Sequence, residues 1–163
     1  MRAMILAAGL GTRLKPFTDH HPKALAIVNG KSLLQRNIEY LQQYGIREVV
    51  VNVHHFADQI IDTVNQHNGW GSDITISDET DEVLETGGGL LRAAHYFKEE
   101  QRWILMNADI LTDLPLDKMI TADELFEAKA EGDLIATLAV TNRASSSNLL
   151  NKPVDLILPP RLS

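Results

Sequence analysis

The sequence predicts an α/β chain, an open and mostly parallel sheet with helices on both faces, hence a three-layer sandwich. Three observations predict it. Apolar runs of strand length alternate with stretches of helical period, and the first run breaks straight into a glycine-rich loop. Polar and charged residues then follow the strand ends, where open sheets of this class bind ligands. The 163 residues, 44% of them hydrophobic, are enough for one domain with a core, by the usual guide of roughly 100 to 200 residues per domain.

Ala3 to Ala8 reads as a buried strand, and Gly9-Leu10-Gly11 follows it at once. Ala24 to Val28 is a short extended piece before a turn at Asn29-Gly30. Ser32 with Gln35 makes a capping box, and Leu34, Ile38 and Leu41 recur at helical spacing until Gly45 stops the helix. Glu48 to Val53 is a β-branched run suited to a buried parallel strand, and Ala57, Ile60, Ile61 and Val64 mark a second helix ending before Gly69. Asp73 to Ser77 is a third strand, and the acidic stretch Asp78 to Glu82 after it reads mainly as a solvated loop. Gly87-Gly88-Gly89 leads into a third helix carrying Leu90, Leu91, Ala94 and Phe97. Trp103 to Met106 is a fourth strand, ending at Asn107-Ala108-Asp109. Thr121 with Glu124 predicts a capping box for a helix to about Glu131, which Gly132 ends, and Leu134 to Thr141 is a fifth strand. Four strand ends should therefore meet at one edge of the sheet, carrying the glycine loop, His54-His55, Asp78 and Asp109.

The formal net charge of -7 argues against a nucleic-acid partner, whose footprint is basic and clustered. A charged substrate then needs local cations or a metal. The absence of cysteine excludes a disulfide frame, a thiol nucleophile and a thiolate metal site, and it suits a reducing compartment. The N-terminal apolar run is too short for a signal-peptide core and no run approaches membrane-spanning length, so a cytoplasmic protein without a membrane partner is expected.

Gly9 and Gly11 let the backbone take positive φ and bring N–H groups to one concavity, which suits an anion. Arg13 adds a planar fork for a phosphate and Lys23 a compact point charge. Together they suit a polyphosphate. A Walker loop needs four residues between its glycines, and a dinucleotide fingerprint needs a third glycine where this chain has Leu14, so neither fits. His54-His55 is an unpromising metal pair, because neighbours leaving a strand point in opposite directions; one should face the pocket while the other packs or meets solvent.

The order Gly9-Leu10-Gly11-Thr12-Arg13-Leu14-Lys15-Pro16-Phe17-Thr18, closed by Pro22-Lys23, resembles the opening signature of the sugar-1-phosphate nucleotidylyltransferases. Residues Val51 to Ile60 and Leu84 to Gly89 are similar to the branch that includes N-acetylmuramic acid 1-phosphate uridylyltransferases and mannose-1-phosphate guanylyltransferases. The resemblance implies a Rossmann-like nucleotidyltransferase (glycosyltransferase-A-like) fold, here truncated. It also implies transfer of a nucleoside monophosphate from a nucleoside triphosphate to a sugar 1-phosphate, with release of pyrophosphate, in nucleotide-sugar biosynthesis. In that reading Arg13, Lys23 and Asp109 carry the chemistry, with Asp109 as a ligand of Mg2+. The nucleotide would lie against Leu6, Ala7, Ala8, Gly9, Leu10, Gly11 and Thr12, with its base and ribose against Glu85, Thr86, Gly87 and Gly88. Asp78 either accepts the imide N–H of a uracil or thymine or remains loop charge. The branch resemblance favours UTP over GTP as the triphosphate and is compatible with a homo-oligomer.

The resemblance runs through residues 1–142, the expected nucleotide-binding domain, and stops at 143–163, a divergent tail. Family members continue with a second half that supplies sugar contacts, another phosphate-binding lysine and a second magnesium-binding aspartate. Asp155, in the tail, lacks the surrounding family pattern. The alternative is therefore a catalytically incomplete nucleotide-binding module.

Overall fold

Residues 1–82, 84–100, 102–129, 136–140 and 155–157 are described by a computed structural model, in which the chain divides into two units, Met1–Leu111 and Thr112–Ser163. In the first unit, strand β1 (Arg2–Leu6) runs out into the glycine loop. A hairpin follows, β2 (Ile27–Val28) antiparallel to β3 (Lys31–Ser32). Its turn residues Asn29 and Gly30 both take positive φ, the requirement of a tight two-residue turn between twisted strands. Helix α1 (Leu33–Gln43) starts at Ser32, whose Oγ accepts the Gln35 N–H at 3.1 Å. The Gln35 carboxamide instead donates to Glu39, so among the described residues only the serine arm of the predicted box is present. Leu34, Ile38 and Leu41 are fully buried, and Gly45 at φ +75° ends the helix.

Strand β4 (Glu48–Val53), helix α2 (Ala57–Gln66), strand β5 (Asp73–Asp78), helix α3 (Glu85–Ala93) and strand β6 (Trp103–Asn107) complete the alternation. The four long strands form one parallel sheet in the order β5-β4-β1-β6. The chain thus moves outward from β1 to β5 and then returns, through α3, to the other side of β1. That reversal puts a switch point at the carboxyl end of β1, where such sheets open a crevice. One sheet face packs Met4 and Val50 against Ala93 and Phe97, with Leu6, Leu90 and Trp103 beside them. By strand alternation Ala3, Ile5, Val49, Val51 and Val53 lie on the opposite face, and each is at most 1% exposed. Side chains are therefore covered on both faces, as a doubly wound sheet requires.

In the second unit, α4 (Leu116–Lys129) begins five residues before Thr121. The predicted capping box is not the start: the Pro115 carbonyl accepts the first helical N–H groups, from Lys118 and Met119, and leaves Thr121 inside the helix. The fifth strand expected at 134–141 is present among the described residues as β7 (Leu138–Val140), which pairs antiparallel with β8 (Asp155–Ile157). Its partner contains Asp155 and comes from the tail. Glu131, Gly132 and residues 134, 135 and 141 lie outside the described residues. Among the described residues no helix is long and apolar enough to cross a membrane.

Candidate functional site

Register levels Leu6 with Asn52, Asn52 with Ser77, and Leu6 with Asn107, so four strand ends stand in one row at the carboxyl edge. A cleft of about 390 Å³ opens there, within the range of small-molecule sites. Its floor is the loop leaving β1. Gly11 sits at φ +64°, and a Cβ on it would meet Thr18 Cγ2 at 2.8 Å and Lys23 Cβ at 3.1 Å. Glycine is thus required twice over, by conformation and by space. The buried Thr18 donates its hydroxyl to the Gly11 carbonyl at 3.0 Å and holds the loop down. Among the described residues no acceptor faces the N–H groups of Gly9, Leu10 and Gly11, which leaves them for a ligand or water.

Lys23 and Asp109 both line the cleft and come from separate segments of the chain. Lys23 is set by buried Pro22 and the turn Lys23–Leu25. Asp109 is placed by Ala108, whose N–H donates to the Leu6 carbonyl at 3.0 Å and whose carbonyl accepts from the buried Asn37 carboxamide at 2.9 Å. The two side chains, 23% and 33% exposed, form an ion pair across the mouth. Arg13 is exposed and makes no ion pair among the described residues.

The cleft brings together Leu6, Ala7, Ala8, Gly9, Leu10, Gly11, Thr12, Arg13, Lys23, Glu85, Thr86 and Asp109 from the expected set. Gly87, Gly88 and Asp78 fall outside its lining. Asp78 is exposed and caps its own turn: its Oδ1 accepts the Thr80 N–H at 2.8 Å, which with the Thr80 hydroxyl holds the carboxyl below the usual carboxylate range. Its neighbour Glu79 lines the cleft instead and is 1% exposed. Strand alternation is the reason, because Asp78 falls on the opposite face from Ser77 and Asn52. Asn52 Nδ2 donates to Glu79 Oε1 at 2.9 Å, and Asn52 Oδ1 accepts the Ala7 N–H at 2.7 Å. Sequence reasoning missed both residues. The signal was Asn52, one polar side chain inside the run Glu48 to Val53. His54 lines the cleft and places its Nδ1 2.7 Å from the Glu79 carbonyl, while His55 is exposed and packs on Phe56.

As a divalent cation site the cleft is sparse: among the described residues no three His, Cys, Asp or Glu side chains cluster to hold a metal. Asp109 nevertheless offers hard carboxylate oxygens at the cleft mouth, and magnesium commonly takes one or two carboxylates with the rest of its shell from phosphate and water. The residues fit a cation that arrives with a polyphosphate.

The Nucleotidyl transferase family matches residues 2–148. The N-acetylmuramate alpha-1-phosphate uridylyltransferase of Caulobacter vibrioides is 45% identical over 93 residues, covering 56% of this chain and 38% of the relative. That of Neisseria meningitidis serogroup B is 40% identical over 114 residues, covering 70% of this chain and 49% of the relative. The chain thus spans less than half the length of either relative. Among solved structures, HddC from Yersinia pseudotuberculosis complexed with GMP-PN superposes with a TM-score of 0.68 at 34% identity, over 75% of this chain and 53% of that one. A putative glucose-1-phosphate thymidylyltransferase from Bacillus anthracis shares the fold at a TM-score of 0.66 and 21% identity. With the match running from the first strand past the last residue of β7, this chain belongs to the nucleotidyl transferase family.

Proposed function

We propose that the chain is the nucleotide-binding part of a sugar-1-phosphate nucleotidylyltransferase. The observation that carries the reading is the glycine loop: three N–H groups without a partner among the described residues, Arg13 and Lys23 at one cleft at the switch point of a parallel sheet. In the reaction an oxygen of the sugar phosphate attacks the α-phosphorus of the triphosphate. The bond from that phosphorus to the α,β-bridging oxygen breaks, and pyrophosphate leaves with the electron pair. A sugar phosphate is largely dianionic at neutral pH, with a second pKa of about 6, so no general base is needed. Positioning and charge neutralisation are needed instead. The loop amides and Arg13 take the triphosphate tail, and Lys23 takes the α-phosphate or the incoming phosphate. Glu85 and Thr86, with Gly87 and Gly88 behind them, face the base and ribose. Asp109 would hold a magnesium ion, which when bound supplies positive charge to the phosphates.

The names of the two uridylyltransferase relatives support UTP as the triphosphate, and a chain without cysteine suits the cytoplasm. The chain spans under half the length of each of these two relatives, so turnover is tested beside a second reading, nucleotide binding without turnover. A pyrophosphate-release assay with UTP, GTP and a panel of sugar 1-phosphates in magnesium separates the two. Turnover with any pair supports the enzyme; calorimetric binding of a triphosphate with no pyrophosphate released supports the module. If no nucleotide binds at all, both are wrong.

A further inference from the structure

We infer that Asn52 is a positioning residue for nucleotide binding, fixing the distance between the phosphate loop and the opposite wall of the cleft. The inference rests on the function proposed above. Asn52 stands at the end of β4, 3% exposed, in a strand whose other inward positions are valines. Its carboxamide spans two elements. Oδ1 accepts the N–H of Ala7, the residue at which the chain leaves β1 for the glycine loop, and Nδ2 donates to the carboxylate of Glu79. These partners fix the amide orientation, since a flipped carboxamide would set N–H against N–H and oxygen against carboxylate.

Glu79 is the far anchor of the bridge. Its own N–H donates to the Val53 carbonyl at 2.8 Å, and its carbonyl lies 2.7 Å from His54 Nδ1, so its backbone is tied to the last residue of β4 and to the residue that follows it. Helix α3 is seated on the pair: a Cβ on Gly89 would meet Glu79 Oε1 at 2.8 Å and Asn52 Nδ2 at 3.0 Å. One carboxamide therefore links the root of the phosphate loop, the β5 end and the helix whose first residues, Glu85 and Thr86, line the cleft. A triphosphate on the loop and a base against α3 need that spacing held. A buried, fully bonded polar group holds it more firmly than apolar contact, because sliding would leave donors and acceptors unpaired.

The test is calorimetric titration of the 163-residue chain with UTP and with GTP, in magnesium, at a temperature well below thermal unfolding. Asn52→Asp sets a carboxylate against that of Glu79 and should weaken binding by about tenfold or more. The double variant Asn52→Asp with Glu79→Gln exchanges donor and acceptor, keeps both hydrogen bonds, and should return affinity to near the parental value. Thermal unfolding of each variant is followed in parallel. A folded Asn52→Asp chain with parental affinity would overturn the inference, as would a folded double variant that stays weak. The second outcome decides the matter even if the single variant does not fold. Failure of the parent to bind either nucleotide would overturn the function reading itself, and the inference with it.

Discussion

Lys23 and Asp109 neutralise each other across the cleft mouth, so an arriving polyphosphate with its cation must exchange that ion pair for new partners. Both side chains are partly exposed, which keeps the exchange inexpensive. Arg13 has no such pair to break among the described residues. Arg13→Ala should therefore leave thermal stability within about 0.5 kcal/mol of the parent, as for surface changes without partners. It should weaken triphosphate binding by roughly 1.5 to 3 kcal/mol, the worth of a charge-assisted contact. Unchanged affinity by calorimetry for every nucleotide that the parent binds would show that the loop is not the phosphate site. Asp109→Asn keeps the shape but not the charge that holds a hard cation. Nucleotide affinity of that variant should be the same in magnesium and in chelator, and a persisting magnesium effect would remove Asp109 from the cation site.

Elements were legible where one period dominated. Leu34, Ile38 and Leu41 predict α1 and are its buried face, and the Ser32 cap forms as the spacing requires. Ser32→Ala should lower stability by about 1 kcal/mol, read by denaturant unfolding; no change would mean that the hairpin and not the cap fixes the helix start. The β-branched run Glu48 to Val53 gave β4 to the residue. Legibility failed where chain direction or a distant partner decides. Thr121 and Glu124 have capping-box spacing, yet Pro115 already starts α4, a competition that spacing alone does not rank. Strand β7 finds its partner at Asp155 to Ile157, across residues with no pattern that announces the pairing. Asp78 and Glu79 are chemically alike in sequence, and only strand alternation after β5 sends one to its own turn and the other into the cleft.

Across the whole molecule, 22 acidic residues outnumber 15 basic ones, and among the described residues three ion pairs join separate segments of the first unit. Arg2 on β1 meets Glu48 on β4, Lys31 on the hairpin meets Glu39 on α1, and the Arg92 fork on α3 holds Asp81 in the loop after β5. In each case the cation's hydrogen bond holds the carboxyl below its ordinary range, and Asp78 is lowered likewise by the Thr80 N–H. A carboxyl whose pKa is depressed in the folded chain stabilises it at any pH above the unfolded value, near 4 for such groups. That contribution is lost as pH falls through the lower folded value. All four groups shift in the same direction, so their losses add in the same sense. The unfolding temperature should therefore stay nearly level down to about pH 5 and fall progressively below about pH 4, as protonation removes the links between β1 and β4, hairpin and α1, and loop and α3. Added salt should shrink the fall, since the pairs are partly exposed and screened. Thermal melts over a pH series at low and high ionic strength check this, and an unfolding temperature that stays flat to about pH 3 would show that these carboxylates are as well solvated in the folded chain as in the unfolded one.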